Sequence, residues 1–366
     1  MGFNCGIVGL PNVGKSTLFN ALTSAKAEAA NYPFCTIDPN VGIVQVPDER
    51  LDRITGFVKP KKTVPTAVEF VDIAGLVEGA SKGEGLGNQF LGHIRQTDAI
   101  VHVVRCFDDP NIIHVSGSVN PDRDIDVINT ELMLADLETV EKRFAKMEKI
   151  AKISTDPKQK IEASCLKKLV EALREGKPAR TVDLNSDEIL VSRELHLITQ
   201  KPVLYLANVD EAGMKEENDW VGQVRKRAAE ENNAVVKICG ALESEIAQLP
   251  TIEERKEFLK EMGLNESGLD RLIREGYKLM NLITYFTAGV QEVRAWTILK
   301  GTKAPGAAAV IHSDFEKGFI RAECYHCEDL FKYSSENAVK EKGLYRSEGK
   351  EYEVKDGDIL FFKFNV

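Results

Sequence analysis

Gly9-Leu10-Pro11-Asn12-Val13-Gly14-Lys15-Ser16-Thr17 lies directly after an apolar run at residues 4–8 and opens a segment of helical spacing at residues 17–23. A strand, a glycine-rich turn and a helix in this order are the context in which the G-x-x-x-x-G-K-[ST] pattern cradles phosphates. Glycine lets backbone N–H groups converge on phosphate oxygens, and the helix N-terminus adds positive potential. The stretch therefore predicts a phosphate-binding loop within an α/β domain.

Several side chains near this loop have the chemistry of a magnesium triphosphate site. Lys15 is expected to contact the β- and γ-phosphates, and the Ser16 hydroxyl to ligate Mg²⁺. Asp72-Ile73-Ala74-Gly75 closes the next apolar run, at residues 67–72, where a metal-side carboxylate and an N–H for the γ-phosphate are expected. Thr36, in the segment between the two motifs, is the candidate first-switch residue whose hydroxyl completes the metal shell.

The residue after this second motif departs from the small GTPases. They place a water-orienting glutamine there, whereas this chain has Leu76. Leucine cannot orient water, so unassisted hydrolysis is expected to be slow. His114, in the polar stretch after residues 108–110, is a candidate for that role if it turns toward the phosphates. A loop histidine without a catalytic role is the competing interpretation.

The base-recognition sequence is also altered. Small GTPases read guanine with N-K-x-D after a strand, but here the apolar run at 202–208 ends in Asn208-Val209-Asp210-Glu211. Val209 removes the lysine, and Glu211 places its carboxylate one methylene further out. A site that no longer matches the guanine edge has no reason to reject adenine. The pattern favours ATP, with main-chain groups at Val209 facing adenine N1 and N6; the alternative is a polar turn without that role.

Short apolar runs alternate with helical segments through much of the chain, which indicates a mostly parallel sheet. Between 123 and 200 a long charged stretch predicts an antiparallel pair of helices, with a turn near 154–156 and Pro157 at the start of the second. Residues 352–364, with a turn at Asp356-Gly357, predict a hairpin in a small β-rich domain. The predicted division is therefore 1–122 with 201–280, then 123–200, then 281–366.

Charge is distributed unevenly over the 366 residues. The chain has a net charge of −9, which argues against a general polyanion binder. Residues 142–180, in contrast, hold 12 Lys and Arg against 5 Asp and Glu. This basic helical tip favours a polyanionic partner, although a self-solvating helical pair is the ordinary explanation for such a run.

The composition indicates where in the cell the protein is found. No apolar run is long enough to span a membrane, and the N-terminus has no basic leader. Seven scattered cysteines predict reduced thiols, and Cys324-Tyr325-His326-Cys327 has no second ligand pair nearby for zinc. Cys35, next to Thr36, is the thiol whose modification would disturb a nucleotide site. The expectation is a cytoplasmic, monomeric protein without a membrane partner.

Taken together, the motifs resemble the YchF-type Obg-like ATPases. The resemblance rests on residues 9–17, 31–36, 72–75, 79–88 and 208–211, and on C-terminal runs at 285–297 and 312–320 that resemble a TGS domain. It implies a Ras-like P-loop domain, a helical coiled-coil insertion and a β-grasp, ubiquitin-like TGS domain. It also implies a ribosome-associated ATPase with Mg²⁺ as cofactor, active in translation or stress responses.

The resemblance further implies which residues contact the ligands. The nucleotide would be contacted by Asn12, Val13, Gly14, Lys15, Ser16, Thr17, Asn208, Val209 and Glu211, and the metal by Ser16 and Thr36. Asp72, Gly75 and Leu76 would belong to the second switch. The basic tip and the TGS face would together clamp ribosomal RNA or protein.

Three other functions remain open from the residues alone. One is a GTP-binding translation factor, and a second is a metabolic P-loop kinase, although no arginine-rich lid is evident. A third is a non-hydrolysing sensor whose TGS domain binds a small ligand. Each differs from an ATPase switch in the nucleotide it prefers or in the fate of the γ-phosphate.

Overall fold

The structure is a computed structural model that describes residues 3–24, 40–73 and 86–365. It divides into two compact units, one comprising Phe3–Gly42 and Glu69–Leu272, the other Ile43–Val68 and Ile273–Val366. We call the first the nucleotide unit and the second the C-terminal unit. In the described ranges, no helix combines the length and the apolar character needed to cross a bilayer.

Parallel strands form the centre of the nucleotide unit. The first seven strands of the chain are β1 (Asn4–Val8), β2 (Val41–Gln45), β3 (Lys62–Val64), β4 (Ala67–Asp72), β5 (Ala99–Arg105), β6 (Val203–Asn208) and β7 (Ala234–Ile238), of which β3 belongs to the C-terminal unit. All but β3 form one sheet in the order β2-β4-β1-β5-β6-β7. The pairs β1–β4, β1–β5, β5–β6 and β6–β7 are parallel, as the alternation of strands and helices predicted. Their carboxyl ends therefore share one edge, which is where α/β sheets bind ligands.

Helices alternate with these strands along the chain. Up to residue 279 they are α1 (Lys15–Ser24), α2 (Glu49–Val58), α3 (Leu86–Gln96), α4 (Pro121–Ile153), α5 (Pro157–Arg174), α6 (Ser186–Glu194), α7 (Glu211–Lys215), α8 (Asp219–Glu231), α9 (Gly240–Gln248), α10 (Ile252–Glu261) and α11 (Gly268–Leu279). Short 3₁₀ turns lie at Ala179–Thr181 and Ile198–Gln200.

The helical insertion has the predicted form. α4 begins with Pro121 behind an Asn120 cap, and α5 begins with Pro157 behind an Asp156 cap, so the turn falls at 154–156. The two helices pack through a buried apolar cluster that includes Val140, Cys165, Leu166, Leu169 and Leu173. Such burial, rather than helix propensity, is what stabilises long helices in water.

A buried carboxylate on α4 binds the chain where the insertion ends. Asp136 on α4 is fully buried and accepts hydrogen bonds from Ile198 N at 3.0 Å and from Thr199 N and Oγ1 at 2.7 Å each. Burial raises the pKa of Asp136, and these donors oppose that effect. The returning chain is thereby attached to α4 before it enters β6.

The C-terminal unit is built on a second sheet. Its further strands are β8 (Leu282–Ala288), β9 (Glu292–Leu299), β10 (Phe319–His326), β11 (Arg346–Glu348) and β12 (Asp358–Phe364), with helices α12 (Ala304–Ile311), α13 (Ser313–Lys317), α14 (Cys327–Tyr333) and α15 (Glu336–Glu341). The strand order is β11-β10-β12-β8-β9-β3. β8 and β9 form an antiparallel hairpin, and the last strand, β12, runs parallel to β8. This central parallel pair gives the unit its β-grasp topology.

Two expectations about this unit were wrong. Residues 43–68 belong here rather than with the nucleotide unit, because β3 pairs with β9 and Leu51 and Ile54 are buried in the cluster around Phe286. Residues 352–354 form no hairpin with β12. Their backbone instead pairs with 302–304, through Ala304 N to Tyr352 O at 2.8 Å and Val354 N to Thr302 O at 3.0 Å.

Candidate functional site

The phosphate-loop motif lies between the end of β1 and the start of α1. Lys15 is the first residue of α1, and its side chain is buried. Its Nζ donates to the carbonyl oxygens of Gly9 and Leu10, both at 3.1 Å. Burial lowers the pKa of Lys15, and the charge of Asp72 opposes that effect. The ammonium is thus held inside the loop, where incoming phosphate oxygens would be stronger acceptors than carbonyls.

The backbone of the loop is left-handed at two positions. Asn12 has φ of 62° and Gly14 has φ of 95°. At Gly14 a Cβ atom would come within 2.2 Å of Asn208 Nδ2, so this position tolerates only glycine. Asn12 also donates from Nδ2 to the carbonyl of Ile113 at 3.1 Å, which connects the loop to the segment that carries His114.

Asn208 joins the base-recognition segment to the phosphate loop. Its side chain is buried, donates from Nδ2 to Val13 O at 2.8 Å, and accepts at Oδ1 from Gly240 N at 3.0 Å. Both halves of the amide are therefore used within the protein. The asparagine fixes three loops relative to each other, and its position at the end of β6 makes this possible.

A cavity of about 370 Å³ opens beside Asn208 at the carboxyl edge of the sheet. It is lined by Asn12, Gly14, Thr17, Phe107, Asp109, Ile112, Asn208, Val209, Asp210, Glu211, Cys239, Gly240 and Ala241. Phe107 supplies an aromatic wall, and its ring lies under the guanidinium of Arg105 at 4.7 Å. The cavity joins the phosphate loop to the predicted base-recognition residues, as a nucleotide requires.

The carboxylates of the altered recognition motif have different roles. Asp210 caps α7, because its Oδ1 accepts from Gly213 N at 2.8 Å. Glu211 is the first residue of α7 and is exposed at the cavity. Val209 is buried, and its N–H donates to Ile238 O at 2.8 Å. The expected donation from this N–H to adenine N1 is therefore not available in this arrangement, which leaves only the carbonyl of Val209 for adenine N6.

Asp72 and Ser16 fit a magnesium ion by their chemistry. Oδ1 of Asp72 is buried and has no hydrogen-bond partner among the residues that the structure describes, an arrangement that costs free energy unless a cation or another donor binds there. Burial raises the pKa of Asp72, and the charge of Lys15 opposes this. The Ser16 side chain is exposed on the first turn of α1. A carboxylate and a hydroxyl are hard oxygen ligands of the kind that Mg²⁺ takes.

His114 is buried and hydrogen-bonded through both ring nitrogens. Nδ1 accepts from Ser116 N at 3.1 Å, so the ring proton lies on Nε2 and is donated to Asp124 Oδ2 at 2.9 Å. Asp124 also receives the guanidinium of Arg123 at 2.9 Å. A catalytic role for His114 therefore requires the ring to leave both partners.

Some predicted residues lie outside the described part of the chain, namely Thr36, Gly75 and Leu76, together with Cys35. Conversely, the cavity contains residues that the sequence reasoning missed: Phe107, Asp109, Cys239, Gly240 and Ala241. Their positions relative to the strands could have indicated them. Each lies just after the end of β5 or β7, and the ends of parallel strands meet at the ligand edge.

Two protein-family models match the chain. The model described as "50S ribosome-binding GTPase" covers residues 4–155. The YchF-GTPase C-terminal model, described as a protein of unknown function, covers residues 282–365. The first spans the phosphate loop, Asp72 and His114, and the second spans β8 to β12.

Similar proteins match along their whole length. "Ribosome-binding ATPase YchF" from Bacillus subtilis (strain 168) is 59% identical over 368 residues, with 100% of both chains covered. The protein of the same name from Escherichia coli O157:H7 is also 59% identical, over 366 residues and 100% of both chains. The solved Schizosaccharomyces pombe YchF GTPase superimposes with a TM-score of 0.89 at 43% identity, covering 99% of this chain and 98% of that one. The chain therefore belongs to the YchF family.

Proposed function

We propose that this protein is a ribosome-associated ATPase that binds Mg·ATP in preference to GTP, hydrolyses it slowly, and acts as a nucleotide-dependent switch in translation or stress responses. Relatives at 59% identity carry the name ribosome-binding ATPase, which supports both the nucleotide and the partner. A ribosomal partner fits a cytoplasmic protein, and we take the active form to be a monomer.

The preference for ATP rests on the carboxylates of the base-recognition segment. Guanine recognition needs a carboxylate that accepts two N–H groups from one edge of the base. Asp210 is committed to the N-terminus of α7 by its 2.8 Å bond from Gly213 N. Glu211 carries the extra methylene. Without a matching acceptor, guanine would bury its N1–H and amino group unpaired, which is the source of strong discrimination between bases.

The proposed magnesium ion would be held by Ser16, Thr36 and Asp72. When bound, it would neutralise charge on the β- and γ-phosphates. Lys15 would exchange its two backbone carbonyls for phosphate oxygens. The backbone of 12–17 would orient the phosphate chain, and Asn208 would hold the loop against the base cavity.

Calorimetric titration of nucleotide-free protein with ATP and with GTP, both with Mg²⁺, tests the proposed specificity. We expect ATP to bind at least about tenfold more tightly, equivalent to ~1.4 kcal/mol. The double variant Val209→Lys, Glu211→Asp restores the guanine-type motif and should narrow or reverse this ratio. Equal or tighter binding of GTP by the wild-type protein would contradict the ATP assignment.

The fate of the γ-phosphate separates the remaining alternatives. An ATPase releases inorganic phosphate, and slow release is expected because Leu76 replaces a water-orienting glutamine. Transfer of phosphate to an acceptor other than water would indicate a kinase. No release at all, even with ribosomes present, would indicate a ligand sensor.

We also propose that His114 orients the attacking water after it leaves Asp124. His114→Ala should then lower the turnover number about 100-fold or more, within the range for general acid–base groups, with little change in ATP affinity. His93→Ala, which removes an exposed histidine on α3, is the control. A purely structural His114 would instead show normal turnover per folded molecule and a lower free energy of unfolding.

A further inference from the structure

A second cavity, of about 310 Å³, lies within the nucleotide unit where the helical insertion meets the sheet. Its walls come from β5, β6, α4, α8, residues 176–180 and the 3₁₀ turn at Ile198–Gln200. The lining residues are Ile100, His102, Asp126, Asn129, Thr130, Leu132, Met133, Gly176, Pro178, Arg180, Thr199, Val203, Arg227 and Glu231. It shares no lining residue with the cavity beside Asn208. Its volume is at the lower end of the range for small-molecule sites.

His102 on β5 presents an unsatisfied imidazole to this cavity. The residue is only 2% exposed, and its ring packs against Tyr205 at 5.4 Å between centroids. Across the described ranges, no hydrogen bond is made by its ring nitrogens. Burial, together with the positive charges of Lys15, Arg180 and Arg227, lowers the pKa of His102 to about 3. The ring is therefore neutral and carries one N–H that a ligand can use.

Two guanidinium groups line the cavity and supply its positive charges. Arg180 donates to Thr199 O at 3.2 Å and lies 3.6 Å from Glu231. Arg227 is paired with Asp126 at 2.9 Å and with Glu231. Burial lowers the pKa of Arg180, Glu231 and Tyr205 oppose that effect, and the charge of Arg227 adds to it.

Two carboxylates, Glu231 and Asp126, balance these charges in number, but both are already engaged. Glu231 already accepts from the Tyr205 hydroxyl at 2.7 Å and from Asn233 Nδ2 at 2.8 Å, in addition to Arg227. Asp126 faces Arg227 from α4 and is 59% exposed. Neither carboxylate accepts from His102, whose N–H has no acceptor among the described residues. An anionic oxygen beside His102 and Arg180 is the group that would satisfy both.

We propose that this cavity is a second ligand site, which takes a small molecule bearing a carboxylate or phosphate group, bound by the Arg180 guanidinium and the His102 N–H. The ligand would touch both the insertion, through α4 and Arg180, and the rest of the nucleotide unit, through β5 and α8. It would be smaller than a nucleotide, given the volume of the cavity. The site is independent of which nucleotide the protein binds.

The test uses full-length protein whose phosphate loop is saturated with Mg²⁺ and a non-hydrolysable ATP analogue, so that added anions cannot bind there. Inorganic phosphate and succinate are titrated separately by calorimetry, which distinguishes a phosphate site from a carboxylate site. Imidazole signals are followed by NMR, with those of His102 assigned through His102→Gln. We expect at least one anion to bind in the millimolar range or tighter and to raise the pKa of His102.

Arg180→Gln should weaken that binding about tenfold or more, since a charge-assisted hydrogen bond is lost. Arg174→Gln removes an exposed arginine that pairs with Glu141 on the insertion, and should leave the affinity unchanged. The proposal is overturned if neither anion binds up to about 10 mM, a limit of roughly 3 kcal/mol, or if the His102 signals do not move in the wild-type protein. If Arg180→Gln does not fold, the wild-type response of His102 still decides.

Discussion

Gly14→Ala is expected to lower nucleotide affinity by about 100-fold or more, or ~2.7 kcal/mol. The added methyl group would lie 2.2 Å from Asn208 Nδ2, and the backbone at residue 14 has φ of 95°, which non-glycine residues rarely adopt. The side chain of Asn208 cannot yield without cost, because it is buried and bonds both Val13 O and Gly240 N. Breaking buried hydrogen bonds of this kind costs about 1–3 kcal/mol each. The loop would thus lose its phosphate-binding shape, which calorimetry with Mg·ATP measures directly.

Gly222→Ala provides the matched control for this substitution. Gly222 lies on α8, and nothing stands within 4 Å of the position that its Cβ would take. Alanine there should stabilise the helix by about 0.5–1 kcal/mol and leave nucleotide affinity unchanged. Wild-type affinity in Gly14→Ala would mean that Asn208 does not hold the loop.

A double variant isolates the contact between these two residues. Asn208→Ala alone should also weaken nucleotide binding, because it removes both of the bonds that position the loop. In Gly14→Ala, Asn208→Ala the methyl group has space, so the two losses should be far from additive. Additive losses would show that the two residues act on nucleotide binding independently.

Much of this site was predictable because its signals are local. Strands β1 and β4 have the bounds that the apolar runs at 4–8 and 67–72 predicted, and the loop motif follows β1 directly. The turn between α4 and α5 is where Asp156 and Pro157 place it. In each case a few neighbouring residues determine the conformation, through burial, φ restriction or capping.

The features that sequence reasoning missed depend on contacts between distant residues. Asn208 meets Val13 across 195 positions, and Val209 N finds its acceptor on β7. The placement of 43–68 with the C-terminal unit follows from the pairing of β3 with β9, for which the short run of β3 carries no signature. The cavity around His102 combines five separate segments, at 100–102, 126–133, 176–180, 199–203 and 227–231, so no single motif marks it.

Most basic side chains of the tip, residues 142–180, are already ion-paired. Of the twelve basic side chains in 142–180, eight form ion pairs with carboxylates: Lys142, Arg143, Lys152, Lys167, Lys168, Arg174, Lys177 and Arg180. Within the part of the chain that the structure describes, the other four, Lys146, Lys149, Lys158 and Lys160, have no such pair. These four flank the turn at 154–156, beside Ile153, which is 88% exposed. The available positive charge is therefore concentrated at the end of the insertion.

Replacing these four lysines by glutamine is expected to weaken ribosome binding more than any other change on the insertion. If each lysine contacts one RNA phosphate, the slope of log affinity against log salt should become shallower by about 3, since each contact contributes about 0.7–0.9. At roughly physiological ionic strength the loss should be about 100-fold or more. Co-sedimentation with ribosomes across a salt series measures both quantities, and this test rests on the proposed ribosomal partner.

The control removes the same total charge from ion-paired positions. Lys142, Lys167, Arg174 and Lys177 are exposed, and each is paired with a neighbouring carboxylate. Their replacement by glutamine also lowers the net charge by four, but exposed pairs of this kind contribute little to stability, and the four lysines that flank the turn are retained. Equal losses in the two variants would mean that ribosomes respond to overall charge at long range. A loss confined to the variant that lacks the four lysines flanking the turn would identify the end of the insertion as the contact surface, because the two sets differ in position and not in total charge.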